Sequence, residues 1–280
     1  MISSVSLMDM MKEHLSFNEL QLPVLSPAAL ELQRILSNED GNIDEIAQKI
    51  QLDQALASEV LRVANSAFYG GLKQVGTIRE SIMRLGTKEV MNLVLLTTQR
   101  QQYSSSGKFL APYVGTLWKH ASCCAKGSKW LAERLGHPGL AQEAFLAGLL
   151  HDIGRLFLLR VLENIHSTGK HYFTLSEAAL VEILESMHAA QGALLLERWN
   201  LPQVYCDTAR LHHAEDYDFS NTVVTVVRLV DLACHKIGIG QNHDPALVLA
   251  TSREAKELQV SEMVLAELEI MLEDAVESIA

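Results

Sequence analysis

Ile43, Ile46, Ala47 and Ile50 recur at i, i+3, i+4 and i+7, a spacing that predicts one apolar stripe on an amphipathic helix. Asp53 reads as the N-cap of the next helix, whose apolar positions are Leu56, Val60 and Val63. Thr77 with Glu80 three residues on is a capping-box pattern ahead of Ile78, Ile82 and Leu85, and Gly86 reads as the stop. Upstream, Ser26-Pro27 supplies a capping hydroxyl followed by proline at a first helical position. Short helices joined by short turns predict a compact N-terminal bundle.

The polar stretch Tyr103-Ser104-Ser105-Ser106-Gly107-Lys108 reads as a junction. It divides the chain into an N-terminal helical part, residues 1–103, and a second helical part, residues 109–280. In the second part the periodicity predicts helices near 113–135, over 141–150 and over 176–199, the last ended by Asn200-Leu201-Pro202. Val223-Val224-Thr225-Val226-Val227 has the β-branched composition of a strand. It runs without a break into Arg228-Leu229-Val230-Asp231-Leu232-Ala233, so a buried helix is the better reading. From Ser261 onward Val264, Leu268, Met271, Leu272 and Ala275 share one face, while the other face carries only acids. The expectation is an all-α chain of two packed helical bundles, without a solenoid repeat.

The balance of 23 basic against 34 acidic residues, a net charge of −11, argues against sequence-independent binding to DNA or to an anionic membrane. With 48% apolar residues over 280 positions, a full core is expected. Residues 144–150 form the longest unbroken apolar run, too short to cross a bilayer, and the N-terminus lacks a basic start followed by an apolar stretch. Cys123, Cys124, Cys206 and Cys234 have neither Cys-x-x-Cys nor disulfide-framework spacing. A soluble, cytoplasmic protein is expected.

Candidate chemistry lies in the placement of 11 histidines. His151-Asp152 ends the apolar segment Phe145-Leu-Ala-Gly-Leu-Leu-His-Asp-Ile-Gly-Arg155. An imidazole and a carboxylate so placed need partners, which either a divalent metal or a hydrogen-bonded His–Asp pair would provide. His188 lies on the apolar face marked by Leu180, Leu184, Met187 and Leu195, and His120 is one turn from Leu117 and Cys124. His212-His213 precedes a polar loop, and Asp231 is a lone carboxylate in an apolar segment. Each has a structural explanation alone. Together, five helix-borne histidines and two aspartates placed inward point to a shared site.

The order His120, His151-Asp152, His188, His212-His213, Asp231 resembles the ligand set of the HD superfamily of metal-dependent phosphohydrolases, particularly its HD-GYP branch. The resemblance implies one or two metal ions, often Fe, Mn or Zn; mixed nitrogen and oxygen ligation suits Fe, Mn, Zn or Ni, and an inherited but vacant site is the alternative. His120, His151, Asp152 and Asp231 would hold the first, His188, His212 and His213 the second, and Asp152 would bridge. The N-terminal half is more specific. Leu22-Pro23-Val24-Leu25-Ser26-Pro27, Ile50-Gln-Leu-Asp53, Leu61-Arg-Val-Ala-Asn-Ser66-Ala-Phe-Tyr69-Gly and the segment from Ile78 to Gly86 resemble the HDOD domain, the HD-related output domain of bacterial signalling proteins. Trp118-Lys-His120, Gly148-Leu-Leu-His-Asp-Ile-Gly154, Gly192, Trp199-Asn-Leu-Pro202 and His212-His213 continue it across about residues 15–240.

That resemblance implies an all-helical regulatory or scaffolding module; no enzymatic activity is established for the family as a whole. It implies a signalling-protein partner and a nucleotide effector. The alternative is a metal-dependent phosphohydrolase of a nucleotide or cyclic dinucleotide, with Asp152 and Arg155 in catalytic roles and Lys119 nearby. The chain departs from the catalytic relatives at three points. Ala-Glu-Asp-Tyr-Asp-Phe-Ser follows His213 in place of Gly-x-Gly-Tyr-Pro; Arg155 stands where those enzymes carry lysine; Thr116 stands where they can carry a glutamate for a third ion. Asn65-Ser66-Ala67-Phe68-Tyr69-Gly70 reads either as a partner surface or as a packed polar turn.

Overall fold

The computed structural model describes residues 43–66, 69, 74–104, 111–167 and 176–277. The Ser26-Pro27 helix start, most of the Ala67–Gly70 turn and the junction after Ser104 lie outside these residues. Every described element is helical, so the chain is all-α. The described helices fall into two compact units, one on each side of residue 105.

In the first unit, α1 (Ile43–Gln51) buries Ile46, Ala47 and Ile50, the stripe that the spacing predicts. Asp53 Oδ1 accepts from Leu56 N at 3.0 Å and caps α2 (Gln54–Ala64). Thr77 and Glu80 form the reciprocal capping box of α3 (Ile78–Leu85), and Gly86 ends it at φ 83°. The long α4 (Thr87–Ser104) packs on α2 and α3. Asn65, just beyond α2, clamps the returning chain: its Nδ2 donates to Val75 O and its Oδ1 accepts from Val75 N, both at 2.9 Å. The packed-turn reading of Asn65 therefore has a direct structural basis.

The second unit is built on α5 (Ala111–Arg134) and α6 (Ala141–Leu150), which lie against each other along their length. Gly148 allows this contact, because a Cβ there would stand 2.6 Å from Cys124 O. The chain turns at His151-Asp152 into α7 (Ile153–Ser167), which packs on α8 (Glu177–Arg198). Gly154 sits at that crossing, where a Cβ would stand 2.0 Å from His188 O. Asn200, at φ 52°, lies in the turn after α8, and α9 (Gln203–Leu211) folds back onto it.

The β-branched segment is helical, as α10 (Thr222–Ile237). Val223, Val224, Thr225, Val226, Val227 and Val230 are all buried, and α10 contacts α5, α6 and α9. Burial on several sides overrides the strand composition. Asn221 caps its start, and Gly238 ends it in the left-handed region at φ 76°. After a 3-10 turn and α11 (Arg253–Glu257), α12 (Glu262–Glu277) packs Leu268 and Leu272 into the core shared by α5, α6 and α10. Two acids of its outer face are paired, Glu267 with Arg134 and Glu269 with Lys236.

One described helix, α8, is long and apolar enough to cross a membrane by length and composition. Its apolar side is used inside the fold: Leu180, Ile183, Leu184, His188, Ala193, Leu195 and Leu196 are buried.

Candidate metal centre

Three helices and two corners bring the predicted residues together. His120 comes from mid-α5, His151 and Asp152 from the corner between α6 and α7, and His188 from mid-α8. His212 caps the end of α9, with His213 beside it, and Asp231 comes from α10. The expected inward placement holds for every one of these residues except His213, while the expectation that the histidines are helix-borne needs correction. His151, Asp152, His212 and His213 lie at helix ends, where a free backbone allows a sharp turn. His213 is 37% exposed at the rim, while the others are buried.

Four imidazoles are oriented the same way. Nδ1 lies 2.9 Å from Ile239 O in His120, 2.8 Å from Gly148 O in His151, 2.7 Å from Leu184 O in His188 and 2.9 Å from Ala209 O in His212. A carbonyl oxygen only accepts, so each Nδ1 carries a hydrogen and each ring, when neutral, presents a bare Nε2 lone pair. Those lone pairs converge. His120 Nε2 and His151 Nε2 are 3.3 Å apart, and His188 Nε2 and His212 Nε2 are 3.1 Å apart.

The carboxylates add negative charge at the same points. Asp231 Oδ1 lies 3.2 Å from His120 Nε2 and 3.9 Å from His151 Nε2. Asp152 spans the two pairs: Oδ1 is 3.4 Å from both His188 Nε2 and His212 Nε2, and Oδ2 is 3.7 Å from His120 Nε2 and 3.9 Å from His151 Nε2. Asp152 Oδ1 is buried and accepts no hydrogen bond. Around Asp152 Oδ1, His188 Nε2 and His212 Nε2, acceptors face acceptors in a buried site and repel one another unless a cation stands between them. The donor set of imidazole nitrogens and carboxylate oxygens therefore fits a divalent metal.

The protonation tendencies follow the same logic. Burial would raise the Asp152 carboxyl, but Arg155 and the surrounding histidines hold it well below the usual carboxylate range. Burial also opposes ionisation of Asp231, and the His120 and His235 rings overcome it. Burial lowers His151 to about 4, lowers His188, and with help from His212 lowers His213 to about 3. For His120, burial is outweighed by the Asp231 carboxylate and Cys234, which raise it well above 6.5, so without metal its Nε2 proton is held toward Asp231 and an entering cation would displace that proton.

Arg155 differs from its expected role. Its Nε donates to Asp152 Oδ2 at 2.9 Å, and its two terminal nitrogens donate to Glu185 at 3.0 and 3.2 Å. The guanidinium is buried, so it anchors Asp152 instead of offering a free cation to a ligand. Lys119 is exposed on α5. Three residues at the centre carry no sequence prediction. His235 Nε2 is 3.3 Å from Asp231 Oδ1, Cys124 Sγ is 3.6 Å from His120 Nε2, and Glu185 holds Arg155. His235 and Cys124 each follow a singled-out residue by four positions in a helix, a usable signal.

A cavity of about 490 Å³ opens beside the cluster, lined by His212, His213, Asp231 and His235 together with Arg228 and Arg253. Both arginines hold the loop after His213. Arg228 donates to Leu211 O, Ala214 O and Glu254 and lies 4.2 Å from the Tyr217 ring centre. Arg253 donates to Glu215 O and lies 4.5 Å from the Phe219 ring centre. Tyr217 and Phe219 of that loop thus lie against the two guanidinium groups.

The family model of the HDOD domain matches residues 22–215. The chain belongs to the HDOD family. A Treponema pallidum protein is 28% identical over 200 residues, 69% of this HDOD chain and 37% of that protein, so the chain spans little more than a third of its relative's length. An HDOD domain protein from Geobacter sulfurreducens has the same fold, with a TM-score of 0.77 at 24% identity over 96% of each chain. A Shewanella amazonensis structure named for metal-dependent phosphohydrolase chemistry matches with a TM-score of 0.66 at 17% identity, covering 95% of this HDOD chain and 96% of that one. These likenesses place the histidine and aspartate cluster in an HDOD fold.

Proposed function

We propose that this chain is a regulatory module that signals through contacts with a protein partner, and that its His/Asp cluster holds one or two divalent transition-metal ions. The observation that carries the metal reading is the convergence of four Nε2 atoms, each on a ring whose Nδ1 is turned to a backbone carbonyl, on Asp152 and Asp231. His120, His151, Asp152 and Asp231 would hold one ion, and His188, His212 and His213 the other, with Asp152 shared. Mixed nitrogen and oxygen ligation suits Fe, Mn, Zn or Ni better than Mg or Ca. When bound, such an ion supplies Lewis acidity and fixes the helices it joins.

The regulatory reading is supported by the state of the cations around the site. Arg155 is locked between Asp152 and Glu185, and Arg228 and Arg253 are committed to the loop after His213. Few charges are left to clamp a transferring phosphoryl group. A nucleotide would act as an effector at the neighbouring cavity, and the acidic net charge disfavours DNA and anionic membranes as partners. Four free, buried cysteines suit the reducing cytoplasm of a bacterium.

The phosphohydrolase reading keeps one specific support, the cavity that reaches Asp231 and His213 at the cluster's rim. Elemental analysis of protein purified without chelator and away from air tests the metal; near-stoichiometric Fe, Mn, Zn or Ni is expected. Cyclic dinucleotides are then offered to the loaded protein. Binding without turnover supports the module, and metal-dependent hydrolysis overturns it.

A further inference from the structure

Cys124 follows His120 by one turn of α5, so the two side chains leave the helix on one face. Its Sγ lies 3.6 Å from His120 Nε2, the nitrogen that points into the cluster. Donor atoms of His120, Cys124, His151 and Asp231 all lie within 4.8 Å of one another, and all four residues are buried. The spacings can be compared with what a tetrahedral ion requires. With N and S donors at roughly 2.0–2.3 Å, their edges are about 3.3 Å for two nitrogens and about 3.6 Å for nitrogen and sulfur. The observed edges are 3.3 Å between His120 and His151 and 3.6 Å between His120 and Cys124.

A buried cysteine that only fills space behaves as a small hydrophobe. Cys124 is different in having polar neighbours on two sides, the His120 ring and the Cys234 thiol at 3.7 Å. Cys234 sits on α10 three residues beyond Asp231, so a ligand and a second thiol reach the centre from the same helix.

We propose that Cys124 is a thiolate ligand, completing with His120, His151 and Asp231 a four-donor site, and that Cys234 donates its S–H to that thiolate. The assignment rests on the metal reading above and changes it at one place: Cys124 takes the fourth position at the first ion, and Asp152, grouped with His188, His212 and His213, neutralises that ion from beside it. As the ion binds, the Cys124 proton passes to solvent, and the sulfur–metal bond takes the place of S–H. A donor set that includes sulfur selects Zn or Fe over Mn.

The full chain, stripped of metal without oxygen, is titrated with cobalt(II). The expected spectrum has visible d–d bands of a four-coordinate ion together with a near-ultraviolet sulfur-to-cobalt charge-transfer band. Cys124→Ser loses that band, while Cys123→Ser and Cys234→Ser retain it. X-ray absorption of zinc-loaded wild type is the second readout, with a sulfur neighbour at about 2.3 Å expected, and it decides the question should Cys124→Ser fail to fold. Cobalt d–d bands without a sulfur band, or a band that survives Cys124→Ser, overturn the thiolate and leave the metal site standing. Absence of cobalt uptake by wild type overturns both.

Discussion

His188 and His212 face each other through Nε2 atoms 3.1 Å apart, and in the neutral rings neither nitrogen has a hydrogen to share. Each ring's single N–H is already given to a backbone carbonyl, Leu184 O and Ala209 O. The contact is therefore repulsive until a cation enters, so metal should stabilise the second unit. We expect thermal unfolding to shift upward on adding Zn or Mn and downward in chelator. At a ligand concentration a thousandfold above Kd the gain is about 4 kcal/mol. Identical melting curves with metal and with chelator would refute the site.

Asp152 is the residue both ligand groups share, and Arg155 with Glu185 fixes its orientation. Asp152→Ala should abolish stoichiometric metal, not merely weaken it, since the second ion loses a ligand and both ions lose charge neutralisation. It also leaves the buried Arg155 guanidinium without its nearer partner, costing about 3–5 kcal/mol. Metal content measured beside a denaturant midpoint separates the two effects. Wild-type metal content in Asp152→Ala would show that the carboxylate is not a ligand.

The metal-free protein should lose stability in acid over a window set by its histidines. His151 is held down at about 4 against an ordinary value of 6.5, and His188 and His213 are shifted the same way. Between those pH values the unfolded chain binds protons that the folded chain refuses, so stability falls as pH drops from 6.5 toward 4. His213, more than a third exposed, is screened and contributes less. His120 is shifted the other way, and its contribution is present in acid and lost as pH rises. Three groups against one set the net direction. Denaturant titrations in chelator at pH 7, 5.5 and 4.5 check it, and a flat or rising profile toward acid would contradict it.

The helices were legible because their signals are local. Thr77 and Glu80 cap within one turn, and Ile43, Ile46, Ala47 and Ile50 share one face of α1. The candidate site was legible for a different reason: His120, His188 and Asp231 are polar residues on faces that are otherwise apolar. Contacts between elements left less trace. Glu185 reaches Arg155 across 30 positions, and nothing near either residue announces the pairing that removes Arg155 from ligand binding. His213 follows buried His212, yet the backbone turn after α9 puts it at the rim. Cys124 and His235 lie four residues from His120 and Asp231, a spacing that puts each on the face of its helix that carries the ligand.

Asn65 separates two roles for the segment after α2. Its side chain pairs with both backbone groups of Val75, ten positions on, and closes the turn before α3. Asn65→Ala leaves that amide and carbonyl without protein partners, so the first unit should lose about 1–3 kcal/mol. A residue kept only for partner contact would change binding and leave stability alone. Hydrogen exchange gives the local readout: faster exchange at Val75 and across α3 is expected, with α5 to α12 unchanged.

Gly154 couples the packing of the second unit to the candidate metal centre. It lies two residues after Asp152, and its Cα side faces the backbone of α8 where His188 is mounted. A Cβ at this position would stand 2.0 Å from His188 O and 2.7 Å from Gly192 N. Those atoms belong to backbone and cannot rotate aside, so α7 and α8 must separate. Gly154→Ala should cost about 1–3 kcal/mol from overpacking. The separation also draws His188 away from Asp152 Oδ1, now 3.4 Å distant, so metal affinity should fall along with stability. Gly136→Ala is the contrasting substitution. That glycine has a left-handed φ of 82° and open space around its Cβ position, so strain there is local. Loss of metal in Gly154→Ala but not in Gly136→Ala, at matched destabilisation, identifies the α7–α8 crossing as what holds the second ligand group in place. Equal metal content in the two variants would show that the centre tolerates separation of these helices.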